Sequence, residues 1–236
     1  MAIDAVIFDW GGTLTRWHDI DFHTESLALA QAVVTAGETG DDPTADHAAL
    51  LHAAGATVWG WSREHQRSAT VDDLFAEAGL EHDPELLAAY REFWEPHTLT
   101  DPEVAPLFEA LRVAGVKVGV LSNTIWPRDW HRDIFERDGV LDLIDGDVYT
   151  SEIPWTKPSP LAFRAALDAV GADDPARCVY VGDRLFDDIW GARQAGMRAV
   201  HLPLSTIPAE QVGHTEGTPD AVIRRLADLP AVLAEM

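Results

Sequence analysis

Short apolar runs alternate with helix-period patterns along most of this chain, and three of the runs end on glycine or polar residues. Ala5–Phe8 leads into Asp9 and then Gly11-Gly12. Val116–Leu121 leads into Ser122-Asn123, and Val179–Val181 into Gly182-Asp183. Apolar runs bounded in this way predict buried strands that enter turns. Ala199–Leu202 predicts a further strand and Asp147–Thr150 a weaker one. Helical patterns lie between them at Pro102–Ala114, Pro127–Arg137, Pro160–Val170, Asp187–Ala195 and Pro219–Leu233. Several open on proline, which suits a first helical turn. Gly115, Gly171 and Gly196 stand where helices would be capped. Strand and helix in alternation predict an α/β fold, a doubly wound parallel sheet covered on both faces.

Residues 17–97 break the rhythm. Thr24–Ala36, Thr44–Arg67, Val71–Gly79 and Pro84–Phe93 read as four helices with no strand among them. The expected organisation is a Rossmann-like core made of residues 1–16 and 98–236, interrupted by an inserted all-helical domain at 17–97. Pro203–Pro219 reads as a long surface loop.

Charge narrows the partners. Forty Asp and Glu against seventeen Lys and Arg leave a net charge of −23 over 236 residues. Nucleic-acid binders draw affinity from a basic surface, so this balance argues against one. It argues equally against a polybasic membrane-surface protein, and no apolar run approaches a membrane span. Residues 17–97 hold sixteen acidic and three basic residues and so carry more than half of the excess. One cysteine, Cys178, permits no intramolecular disulfide and no cysteine-based zinc cluster. A reducing, cytoplasmic setting is expected. Met1–Trp10 lacks the basic and apolar regions of a signal peptide.

The strand ends carry the candidate chemistry. In an open parallel sheet, ligands bind beyond the carboxyl ends of the strands. There the sequence would gather Asp9, Gly11, Gly12 and Thr13, then Ser122 and Asn123, then Lys157, then Asp183, Asp187 and Asp188. Taken singly, each signal has an ordinary explanation in turns, helix caps or helix dipoles. Together they suit phosphoryl chemistry. Converging carboxylates need a hard cation between them, and magnesium takes carboxylates plus phosphate oxygens. A lysine and a hydroxyl would hold the remaining oxygens.

That order resembles the haloacid dehalogenase superfamily of hydrolases. Phe8-Asp9-Trp10-Gly11-Gly12-Thr13-Leu14 is similar to its first motif and Leu121-Ser122-Asn123-Thr124 to its second. Lys157 stands for the third. Val181-Gly182-Asp183, Asp187-Asp188-Ile189 and Ala195-Gly196-Met197 stand for the fourth. The resemblance implies a helical cap domain at the insert and a small phosphorylated metabolite as substrate. It implies Asp9 as nucleophile, with Ser122 and Lys157 completing the catalytic set. Trp10, Gly12, Ser122, Asn123 and Lys157 would bind the phosphoryl group, Trp10 and Gly12 through their turn. Asp9, the Gly11 carbonyl, Asp183 and Asp188 would hold Mg2+. No macromolecular partner is implied beyond a monomer or homodimer.

One departure qualifies this. Phosphatases of the superfamily carry a second Asp two residues after the nucleophile, as the general acid and base. Here that position is Gly11. His18, Asp19, Asp21 and His23 follow closely and are the candidate substitutes. Two branches of the superfamily also lack the second Asp. One cleaves phosphonoacetaldehyde through a Schiff-base lysine in the cap, but residues 17–97 contain no lysine. The other cleaves 2-haloacids without metal, and the acids of the fourth motif suit it poorly. A catalytically weak phosphate-binding or regulatory protein is the remaining alternative.

Trp10, Trp126, Trp155 and Trp190 each lie near a motif, as packing residues or as an aromatic wall. Trp59, Trp61 and Trp94 read as core or seam of the insert.

Overall fold

The computed structural model describes residues 3–16, 18–34, 43–203 and 214–236. Ala2, Trp17, the expected end of the first insert helix and most of the expected 203–219 loop lie outside the described residues. A six-stranded sheet is the centre of the fold. Its strands are β1 (Ala5–Phe8), β2 (Lys117–Ser122), β3 (Gly146–Tyr149), β4 (Cys178–Gly182), β5 (Arg198–His201) and β6 (Ala221–Val222). Their order is β3-β2-β1-β4-β5-β6, with every neighbouring pair parallel.

The period-2 alternation of the strands sends side chains into two layers. Val6, Phe8, Val118, Val120, Val179 and Val181 pack on one face against Leu107, Phe108 and Leu111 of α5 (Val104–Val113). Ile7, Leu121, Tyr180 and Ala199 pack on the other against Phe163, Leu167 and Val170 of α7 (Pro160–Val170). β1 is buried along its whole length. Each such fully buried aliphatic or Phe side chain contributes roughly 1.5–3 kcal/mol. A strand buried along its whole length therefore carries Asp9 on its end.

The insert holds α1 (Phe22–Ala30), α2 (Pro43–His65), α3 (Val71–Ala78) and α4 (Ala88–Trp94), the last after a short 3-10 turn at Pro84–Leu86. These helices share an apolar cluster of their own, including Leu29, Leu51, Leu74, Phe75 and Tyr90, which also takes in Ile125 and Trp126 from the loop after β2. The chain leaves and re-joins the sheet side by side. Thr15 bridges Thr100, and its hydroxyl donates to the Leu99 carbonyl at 2.8 Å. Trp59 and Trp94 pack partly buried on the insert cluster as expected. Trp61 does not: it is 46% exposed and stacks on His65.

Three expected helices differ. The first insert helix ends at Ala30 rather than running toward Ala36, and Val33 already bridges His82. The Pro219–Leu233 pattern contains β6, and only Leu229–Glu235 (α9) is α-helical there. Ala221 and Val222 pair with Val200 and His201, and the adjacent Ile223 is buried. The free sheet edge and a β-branched pair outweigh the helical period. Asp187–Ala195 is likewise not one helix. A wide π-helical turn at Leu185–Trp190 precedes a short α8 (Gly191–Gln194). The remaining core helix, α6 (Arg128–Arg137), follows β2. Among the described residues, no helix is long and apolar enough to cross a membrane.

Candidate active site

Asp9, Ser122 and Asp183 stand at the carboxyl ends of the adjacent strands β1, β2 and β4, and all three are buried. Asp9 continues the ladder, its N–H donating to the Val181 carbonyl at 2.9 Å. The chain then folds tightly: the N–H groups of Thr13, Leu14 and Thr15 all point to the Trp10 carbonyl. Gly12 has φ +87°, in the left-handed region that favours glycine. Its N–H donates to the Thr15 carbonyl at 2.8 Å and is engaged within the turn. The N–H groups of Trp10 and Gly11 have no partner among the described residues.

Lys157 reaches into this cluster from the loop before α7. Its ammonium donates to Asp9 Oδ1 at 2.6 Å, to Asp188 Oδ1 at 2.7 Å and to the Tyr180 hydroxyl at 2.9 Å. All three of its protons are therefore directed. Burial opposes the lysine charge, but Asp188 and Asp9 outweigh it and hold the pKa above the ordinary lysine value. For Asp9, burial is the larger effect. It pushes the carboxyl up to about 6 against the pull of Lys157.

The π-helical turn sets Asp188. The N–H groups of Asp188 and Ile189 both donate to the Arg184 carbonyl. The widened turn lets Asp188 Oδ2 accept from the Arg184 N–H at 2.9 Å while Oδ1 meets Lys157. A Cβ at Gly182 would fall 2.4 Å from that carboxylate, so only glycine fits there. Asp187 is partly buried, and desolvation raises its pKa against the opposing charge of Arg184.

Asp9, Asp183 and Asp188 bring carboxylate oxygens within 4.8 Å of one another. Three buried carboxylates thus face one ammonium. This hard-oxygen set suits a divalent cation such as magnesium, which would remove the remaining repulsion. The three acids are those expected from the sequence.

Other expected residues have additional or different surroundings. Asn123 accepts from the Lys157 N–H at 2.8 Å and donates to its carbonyl at 3.1 Å, so both ends of its amide hold the Lys157 main chain. Asp21 caps α1, accepting from the His23 N–H and the Thr24 hydroxyl. The Thr24 bonds hold its carboxyl below the ordinary range, which favours the ionised form. Asp19 and His23 are exposed. His18 is half-buried, with its ring 5.1 Å from that of His97, where the chain enters and leaves the insert.

Tyr180 is a site residue that motif reading missed. It lies within β4, reads as core, and is fully buried. Its hydroxyl accepts from Lys157 and donates to the Leu121 carbonyl at 3.0 Å. A tyrosine facing inward two residues before Gly182-Asp183 was the available signal.

The tryptophans do not form one wall. Trp10 packs 5.7 Å from Trp126, which also meets Trp94 and Trp130. The Trp126 indole N–H donates to the Tyr90 hydroxyl, which donates to Glu25. Trp190 stacks instead on Phe186.

A family model described as haloacid dehalogenase-like hydrolase matches residues 3–196. The chain is 29% identical to glyceraldehyde 3-phosphate phosphatase from Methanopyrus kandleri, over 99% of its own length and 98% of that protein. It is 28% identical to phosphonoacetaldehyde hydrolase from Pseudomonas fluorescens, over 100% of its length and 93% of that protein. Among solved structures, a HAD phosphatase from Thermococcus onnurineus superposes with a TM-score of 0.64 at 23% identity, over 98% of each chain.

Proposed function

This chain belongs to the haloacid dehalogenase-like hydrolases, and from that premise we propose that it is a magnesium-dependent phosphatase of small phosphorylated metabolites. The observation that carries the reading is the clamp of Lys157 between Asp9 and Asp188, at the mouth of three convergent carboxylates. The phosphatase relative from Methanopyrus kandleri, matched over nearly its whole length, supports the same chemistry.

In this reading an Asp9 oxygen attacks phosphorus and the ester oxygen leaves. Water then attacks the aspartyl phosphate, releasing inorganic phosphate and restoring Asp9. Lys157 fixes the Asp9 carboxylate and neutralises charge on the phosphoryl group. The N–H groups of Trp10 and Gly11, unpartnered among the described residues, receive phosphoryl oxygens together with Ser122. Asn123 and Tyr180 keep Lys157 in position. Asp9, the Gly11 carbonyl, Asp183 and Asp188 would hold magnesium. When bound, the ion supplies charge neutralisation to the phosphoryl oxygens. Residues 17–97 act as the cap that closes over the site and excludes water.

The leaving oxygen needs a proton, and Gly11 has none to give. Of the substitutes considered, Asp21 serves as a helix cap, while His18 stands where the chain enters the insert. Gly11 also favours a second reading, a slow phosphatase that chiefly binds its phosphorylated ligand. The phosphonoacetaldehyde route is disfavoured by the absence of lysine from residues 17–97. Metal-independent 2-haloacid cleavage is disfavoured by the three clustered carboxylates.

A panel of small phosphate esters, assayed with and without magnesium, tests the reading. Turnover that requires both magnesium and Asp9 is the expected result. Halide release from a 2-haloacid without magnesium, and no ester turnover, would overturn it.

A further inference from the structure

The cap is acidic, yet two of its three basic residues lie at the end of a helix that borders the loop carrying Lys157. Residues 17–97 contain three basic residues, Arg63, Arg67 and Arg91. Arg91 is paired with Asp133. Arg63 lies in the last turn of α2 and Arg67 just beyond it. This end of α2 is fastened to the 153–156 segment. The Thr156 N–H donates to the Gln66 carbonyl at 3.2 Å, and the Ser68 N–H to the Pro154 carbonyl at 3.3 Å. The Ser68 hydroxyl donates to the Ile153 carbonyl, and Arg67 bridges Trp155. Gln66 holds φ +51°, an uncommon backbone angle for a side chain of its kind. The two arginines therefore border the segment that leads directly into the catalytic lysine.

Their charges are uncommitted. Among the described residues, only Arg63, Arg67, Arg164 and Arg224 lack a carboxylate or carbonyl partner for the charged group; every other Lys and Arg has one. In a chain with forty acids, two arginines four residues apart, both without such a partner among the described residues, depart from the general pairing. Both are exposed. Arg63 nonetheless acts electrostatically on Asp187, the neighbour of Asp188 in sequence. A polar group also waits in the same segment: the Thr156 hydroxyl is buried and has no hydrogen-bond partner.

We propose that Arg63 and Arg67 receive a second anionic group of the substrate, a carboxylate carried beyond the phosphate ester. This rests on the phosphatase reading and deepens it. The phosphoryl group would lie at Asp9 and Lys157, while the carboxylate would reach the end of α2. Guanidinium groups suit this role because their forked donors match a carboxylate. Binding would also tie the cap to the 153–157 loop, so that the carboxylate end of the substrate helps hold the cap closed. The acidic remainder of the cap would repel larger polyanions and leave this one local opening for a modestly charged molecule.

Two esters of the same chain length separate the possibilities, phosphoglycolate and 2-hydroxyethyl phosphate. Their affinities would be measured by calorimetry on the Asp9→Asn protein with magnesium, where no turnover interferes. The expected result is that phosphoglycolate binds about tenfold more tightly, by charge-assisted bonds to guanidinium. In the added double variant Arg63→Ala, Arg67→Ala that preference falls to within about twofold, and 2-hydroxyethyl phosphate binds as before. Lysine at both positions retains part of the preference. Equal affinities in the parent, no measurable phosphoglycolate binding, a preference that survives both alanines, or an equal loss for both esters would each overturn it. The phosphatase reading stands or falls separately, on turnover of 2-hydroxyethyl phosphate by the unmodified protein. Circular dichroism would confirm that the variants fold.

Discussion

The Lys157 ammonium stands 2.6 Å from Oδ1 of Asp9, and both side chains are buried at the end of a parallel sheet. Removing a buried charge leaves its partners uncompensated, at a cost of about 3–5 kcal/mol. Lys157→Met is therefore expected to lower stability by about that amount and to abolish turnover. Magnesium should restore part of the lost stability by neutralising Asp9, Asp183 and Asp188. Urea unfolding with and without the ion measures this. A variant as stable as the parent, and indifferent to magnesium, would contradict the clamp.

Gly11→Asp should raise phosphatase turnover. A Cβ at this position meets nothing within 4 Å, and Gly11 is not among the glycines at positive φ. A carboxylate can thus be added without strain. Correctly placed general acid–base groups contribute about 100–10,000-fold, so a rise in kcat of about tenfold or more is expected. No change in kcat would show that proton transfer is not the limiting step.

Tyr180→Phe removes the hydroxyl that joins Lys157 to the Leu121 carbonyl. One buried acceptor loses its donor and the ammonium loses an acceptor, at a cost of about 1–3 kcal/mol. Turnover should fall less than tenfold, since Asp9 and Asp188 still hold Lys157. Thermal unfolding and steady-state kinetics separate the two effects. An unchanged melting temperature would remove Tyr180 from the account.

His131 gives a pH prediction away from the carboxylates. Its ring is fully buried between Trp10 and Tyr149, and burial pushes its pKa down to about 3. The unfolded chain takes up this proton near pH 6.5, while the native protein does so only near 3. Stability from this group is therefore complete above about pH 6.5 and is lost as pH falls toward 3, at up to about 1.4 kcal/mol per unit. His131→Phe should flatten the decline in melting temperature between about pH 6.5 and 4.5. An equally steep decline in the variant would contradict this.

The strand ends were legible because each apolar run stops at a polar residue or glycine. Asp9, Ser122 and Asp183 were placed correctly from that pattern, and the acid trio follows from three strand or turn ends in one sheet. What escaped was set by contacts distant in sequence. β6 exists because β5 offers it a free edge, which no local period announces. Tyr180 looks like any core residue until Lys157, from another loop, is seen to meet its hydroxyl. Asn123 has the composition of a ligand-binding residue, yet the structure commits its amide to the Lys157 main chain. The helical insert was visible as a loss of strand runs. Its seam was not, because Trp126 belongs to the core sequence and packs in the insert's cluster.

The central claim is that Asp9 carries the phosphoryl group. Acid quenching during turnover of a labelled phosphate ester, followed by digestion, would locate any phosphorylated peptide. Label on the peptide containing Asp9, dependent on magnesium and lost in Asp9→Asn, is the predicted result. Undiminished turnover by Asp9→Asn, or label on a different residue, would contradict it.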